Sequence, residues 1–142
     1  MAEAQPVQEE EAYHALCAYS LEHGRTDPSF IHQHVVDAYA AQHAGAGSKP
    51  IGVAFALMGL CLHVERGFTG KQVQQAHMRL GRPKRAWPSF PMPLQRGSMT
   101  CLDVLAQPPG PGRDRAISAW CRSVWDSFAE AQPMVRALVA DV

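Results

Sequence analysis

The sequence predicts an all-α fold, a compact bundle of four to six helices carrying a proline-rich extended arm. Three observations predict it. Apolar residues recur at three- and four-residue spacing along most of the chain, and no segment alternates with the period of a strand. Helix start and stop signals punctuate those stretches: Asp27-Pro28, Thr69-x-x-Gln72, and glycines at Gly24, Gly67 and Gly81. The stretch from Ile51 to Val64 is apolar nearly all round, which is the pattern of a helix at the centre of a bundle.

Taken in order, residues 1–8 read as a disordered tail and residues 9–142 as a single helical domain. The first helix is expected from Glu9 to His23, with Tyr13, Leu16, Cys17, Ser20 and Leu21 on its inner side and Gly24 as its stop. Asp27 followed by Pro28 is a start signal: a capping carboxylate, then proline in the first helical position. That second helix is expected to reach Ala44. Pro50 opens the third helix and Gly67 closes it. Thr69 and Gln72 form a capping box for the fourth, which Gly81 ends. Between Arg82 and Gly97 stand Pro83, Pro88, Pro91 and Pro93, with Trp87 and Phe90 as anchors, and this stretch reads as the extended arm packed over the bundle. Thr100 with Asp103 caps a short helix, and Pro108 to Pro111 breaks the chain again. A last long helix follows from Arg113 to Ala131, with Ile117, Trp120, Cys121, Val124 and Phe128 as its stripe. Pro133 starts or kinks a short final helix.

Composition excludes more than it selects. The 142 residues are 46% hydrophobic and 18% charged, with a formal charge of zero, so one domain can bury a core without staples. Zero charge gives no field that favours nucleic acid, and the basic cluster Arg79, Arg82, Lys84 and Arg85 lacks interleaved aromatics. Nucleic acid is therefore not an expected partner, nor is a membrane, because the longest apolar run is short of the ~20 residues a span needs. Cys17, Cys61, Cys101 and Cys121 are scattered among apolar residues without a C-x-x-C pair, and the acidic N-terminus holds no signal peptide, so a reducing cytoplasm is expected. No phosphate loop, nucleophile elbow or dinucleotide fingerprint is present.

The unusual feature is histidine. Five of the seven (His14, His23, His32, His34, His43) lie between positions 14 and 43. On a helical wheel His34 falls among core-facing residues, with Asp37 adjacent on the same edge. His32 and His43 share a boundary face, His23 reads as surface, and His77 as core. On the third helix Gly52, Ala56, Gly59 and His63 form one stripe, a small-residue groove ending in an imidazole. If the first three helices are antiparallel neighbours, His14, His34, Asp37 and His63 converge as ligands for a divalent transition metal (Zn, Fe or Mn). Water on such a metal would serve a hydrolase or transferase. The rival expectation is a non-enzymatic module binding a small molecule, a protein or a second copy of the chain. Its pocket would be lined by Tyr13, Cys17, Gly52, Ala56 and Gly59. A hydrogen-bonded core histidine needs no ligand at all, and that reading applies to each histidine taken singly.

The stretches FIHQHVVDAYAAQH (Phe30 to His43), LHVERGFTGKQVQQAHMRL (Leu62 to Leu80) and DVLAQPPGP (Asp103 to Pro111) together resemble a bacterial family of small helical proteins known only as a domain of unknown function. The resemblance runs from about Tyr13 to Phe128. It implies a shared fold and draws attention to the His-Gln-x-His-x-x-Asp stretch, but it implies no activity and assigns no role to any residue.

Overall fold

The computed structural model describes residues 6–24 and 29–142, with side chains from position 8. Among them are seven helices and no strand: α1 (Pro6–Gly24), α2 (His32–Gln42), α3 (Pro50–Arg66), α4 (Gly70–Leu80), α5 (Cys101–Ala106), α6 (Pro111–Ser127) and α7 (Gln132–Leu138). The count exceeds the expected four to six, although the element-by-element reading, with short helices after Thr100 and at Pro133, already adds up to seven. The α5 helix is stabilised by a capping box in which Thr100 and Asp103 satisfy each other's end of the first turn. The expected tail at residues 1–8 lies mostly outside the described residues, and α1 is already formed at Pro6, a residue suited to a first turn.

The all-round apolar α3 sits at the centre, packed against α2, α4, α6 and α7, while α1 packs on α2 and α5. Its residues from Val53 to Leu62 are buried except Phe55, which is half-buried. Trp120, Trp125 and Phe128 from the last third of the chain fill the largest volumes in the core. On α1 the buried face is Ala12, Leu16, Tyr19 and Ser20, so Leu21, expected inside, is half-exposed. Tyr19 turns inward because its hydroxyl reaches across to Asp114 at 2.7 Å.

The second helix starts later than its signals predict. The Asp27-Pro28 pair lies outside the described residues, but Phe30 has φ +52°, in the left-handed region, so no helix runs through it. The cause is tertiary. The backbone at Ser29–Phe30 lies directly on Gly70 at the start of α4, and Lys71 donates its N–H to the Ser29 carbonyl at 3.2 Å. A methyl on Gly70 would overlap the Phe30 carbonyl. At its other end α2 stops at Gln42, where the Arg96 guanidinium donates to the carbonyls of Ala41 and Ala44, acceptors a helix end leaves open. Gln42 donates back to the carbonyls of Arg96 and Met99 and accepts from the Trp120 indole.

Between Gly81 and Thr100 the chain forms neither helix nor strand. Phe90 is buried there, and the ring of Trp87 meets Phe55 edge-on at 5.4 Å, with the Arg85 guanidinium over the Trp87 ring. The α7 helix is held by the end of α3. Glu65 accepts two hydrogen bonds in parallel from Arg136 and one from the Trp125 indole, while Arg66 donates to the carbonyls of Val139 and Val142.

Candidate functional site

The site is built where the start of α2 crosses the end of α3. His34 and Asp37 lie one turn apart on the α2 edge that faces α3, and both are buried, at 5% and 3% exposure. Gly59 explains how a carboxyl group fits between two helices. A methyl there would overlap the Asp37 carboxyl, so the absence of a side chain on α3 is the space the acid occupies. Gln33, one turn back, donates to Asp37 Oδ1 at 3.1 Å, whereas Oδ2 is buried with no partner. Burial pushes the Asp37 carboxyl well above the ordinary range and the Gln33 hydrogen bond only partly opposes it, so the neutral acid is favoured.

His34 stacks face to face on His63, with ring centroids 3.6 Å apart and 21° between planes. The end of α3 orients the second ring. Gly67 takes a left-handed φ of 69°, its N–H and that of Phe68 close on the carbonyls of His63 and Leu62, and the Phe68 carbonyl is thereby turned back over the helix. His63 Nδ1 lies 3.0 Å from that carbonyl. A carbonyl only accepts, so Nδ1 carries the proton and Nε2 presents its lone pair. At 3.3 Å from Nε2 is the hydroxyl of Ser118 on α6, which can therefore donate to it.

Both imidazoles are neutral near pH 7. Burial, then the neighbouring His63, takes His34 down to about 3. Burial also lowers His63; the Phe68 carbonyl opposes the shift and the Arg122 charge adds to it. The pair floors an open cleft of about 420 Å³ whose rim includes Phe68, Thr69, Asp114, Arg115 and Ser118. Asp114 accepts from Tyr19, whereas Arg115 forms no ion pair among the described residues. A wider depression of about 670 Å³ runs along the outer face of α6, past Ala119, Arg122 and Ser123, and holds no histidine or cysteine.

The structure thus stacks His34 on His63, seats Asp37 against Gly59, and leaves out His14. The latter is exposed on α1, where its neighbour is the ring of Tyr13 at 5.9 Å. Tyr13 in turn stacks on Tyr39 at 3.8 Å, one turn before Cys17 on α1, so these two expected pocket residues belong to the α1–α2 contact. Burial is the main cause that pushes both groups above their ordinary range. Among the described residues no three His, Cys, Asp or Glu side chains are grouped to hold a metal ion. The small-residue stripe is not a continuous groove: Ala56 is in the core, Gly59 is filled by Asp37, and Gly52 faces open space at the other end of α3.

The remaining histidines have partners of their own. His32 Nδ1 meets the Ser20 hydroxyl at 2.9 Å, His43 Nε2 lies 3.2 Å from Glu9, and His77 stacks on Phe55 at 4.8 Å. The side chain of His23 lies outside the described residues. Sequence reasoning missed Ser118 and Arg115. They stand on an exposed face of α6, and Ser118 is 55 positions from His63, so no local pattern marks them.

No curated protein and no solved structure matches the chain. A family model, described as a family of unknown function, DUF5946, matches residues 10–129. That span contains all seven histidines, the whole cleft and α1 through α6 apart from the first residues of α1. The chain belongs to the family of unknown function DUF5946.

Proposed function

We propose that the protein works through the cleft over His34 and His63, as a binding site for a small molecule that presents an oxygen acceptor such as a carboxylate. One observation carries the reading: two neutral imidazoles, stacked at 3.6 Å, floor a cleft whose rim holds a hydroxyl and a guanidinium without an ion pair. Convergent polar groups on a concave surface are what such sites require. The long Arg115 side chain offers a planar fork of donors to a carboxylate, and Ser118 a donor or acceptor beside it. The test is a titration of the full chain with a panel of small carboxylates and inorganic phosphate, followed by NMR of the imidazole nitrogens. A bound member shifts the His63 signals, and Arg115→Ala weakens the effect by about tenfold or more, the worth of a charged hydrogen bond. Unmoved His63 signals across the whole panel would rule the reading out.

A second reading is a divalent transition metal bound near His34 and Asp37, although among the described residues no three His, Cys, Asp or Glu side chains are grouped to hold one. His34 Nδ1 and Asp37 Oδ2 are both buried without a hydrogen-bond partner, and each is an atom type that ligates zinc, iron or manganese. His14 is not part of this set. Element analysis of protein purified without chelator tests it: near-stoichiometric metal, lost in His34→Ala, would favour a metal centre over the binding cleft, and metal-free protein of full stability would end it.

A further inference from the structure

We infer that Ser118 and His63 form a nucleophile–base pair for acyl transfer, acting on a small carboxylic ester or thioester seated in the cleft. This rests on the cleft being the binding site and adds a reaction to it. A serine hydroxyl becomes a nucleophile when three conditions are met: a base within reach, a fixed tautomer on that base, and access for the acyl group. All three are on this end of the molecule. His63 Nε2 is 3.3 Å from the Ser118 hydroxyl, a distance that tightens readily once a substrate is bound. The Phe68 carbonyl, 3.0 Å from Nδ1, holds the proton on the far nitrogen and plays the orienting role. Ser118 is exposed at the cleft rim.

Two further contacts serve the step. His34 lies flat against His63 and fixes the plane of the ring, so the lone pair stays aimed at α6. Arg115 lies one helical turn before Ser118, on the same side of α6, and its guanidinium can donate to the carbonyl oxygen of the acyl group. In the step, Ser118 Oγ bonds to the acyl carbon and its proton passes to His63 Nε2. Negative charge collects on the carbonyl oxygen beside Arg115. The bond to the leaving alcohol or thiol then breaks, and that group departs with the proton from His63. Water, giving its proton to the same nitrogen, attacks the acyl-Ser118 ester; the acid leaves and Ser118 regains its proton. The orienting group is a neutral carbonyl rather than a carboxylate, so the imidazolium gains little stabilisation and slow deacylation is expected.

The experiment is intact-mass spectrometry of the full chain with a small alkyl fluorophosphonate and, separately, p-nitrophenyl acetate. The expected result is one adduct per chain, mapped to the peptide holding Ser118 and absent in Ser118→Ala. In His63→Gln, which retains a donor toward the Phe68 carbonyl, labelling should slow by about a hundredfold or more, the usual worth of a general base. Should His63→Gln fail to fold, Ser118→Cys and Ser123→Cys, both with His63 intact, replace it. Alkylation of position 118 by iodoacetamide should then outrun that of position 123 by about tenfold, because a paired imidazole promotes the thiolate. No adduct at Ser118, equal labelling in His63→Gln, or equal alkylation of the two cysteine variants overturns the pair. Wild-type protein that forms no adduct but still shifts its His63 signals with the carboxylate panel separates failure of the chemistry from failure of the cleft.

Discussion

The two ends of α2 each present a histidine and use it in opposite ways. At the first end, His34 and Asp37 are buried against α3, and His34 Nδ1 and Asp37 Oδ2 have no hydrogen-bond partner. At the last end, Tyr39 is sandwiched between Tyr13 at 3.8 Å and His43 at 4.2 Å, and His43 is paired with Glu9 in partial contact with solvent. The second arrangement is complete within itself: each ring has a face to lie on and the imidazole has a carboxylate. Polar groups of the first kind are expensive to bury, since an unmade hydrogen bond in the interior costs about 1–3 kcal/mol. A histidine-rich sequence is therefore not one site but two environments. The environment at the start of α2 opens onto a cleft.

The comparison can be broken most severely at Gly59. Gly59→Ala drives a methyl into the Asp37 carboxyl and should cost about 3 kcal/mol, the upper range for overpacking a core. Gly52→Ala, on the same stripe but facing open space, should leave the melting temperature unchanged or raise it slightly through helix propensity. Thermal melts of the two variants side by side make the measurement, and equal effects would remove the claim that Asp37 fills the stripe.

Next in size are the pH effects, which differ in sign. Asp37 binds its proton more tightly folded than unfolded, so the stability it contributes is full below the ordinary carboxyl value of 3.8 and is lost as pH rises toward its folded value. His34 is the reverse: its folded value of about 3 lies below 6.5, so its contribution is present above 6.5 and lost as pH falls from there toward 3. Between about pH 4 and 6.5 the two slopes oppose each other. Asp37→Asn should flatten the loss of stability on the alkaline side, and His34→Gln the loss on the acid side, both read from urea midpoints against pH. A wild-type slope retained in both variants would mean that neither group governs the pH response.

Smaller effects are expected at the edges. Thr69→Ala removes the oxygen that accepts from the Gln72 N–H and should cost about 1 kcal/mol in the same melts. Glu9→Gln at the far end of α2 breaks only a partly exposed pair and should cost under about 1 kcal/mol, shrinking further in high salt. A larger, salt-independent loss there would show that the two ends of α2 are more alike than their geometry indicates.

Much of the fold is legible in the chain because the signals are local. Proline and glycine at helix ends, the two capping boxes and the all-round apolar α3 act within a turn or two of where they stand. Placing His34 in the core with Asp37 beside it was likewise a matter of helical period. Errors arose where a distant segment intervened. Leu21 points outward because α1 is rotated to bring Tyr19 to Asp114, and α2 starts at His32 because Gly70 receives the backbone of Phe30. Among the metal-ligand expectations, His14 fails to join His34 because its ring stays on the exposed face of α1 beside Tyr13.

The sequence by itself determined that the chain is helical, that α3 lies inside, and that His34 and Asp37 share a core-facing edge of α2. Periodicity carries that information, since a side chain's direction follows from its place in the turn. Only the tertiary structure decided that His34 and His63 stack instead of converging with His14, and that Asp37 closes the stripe at Gly59. It also decided that the lone pair of His63 faces Ser118 across 55 positions of chain. Those facts depend on which helices cross and at what rotation, and crossing is settled by the packing of whole faces, which no window of neighbouring residues contains.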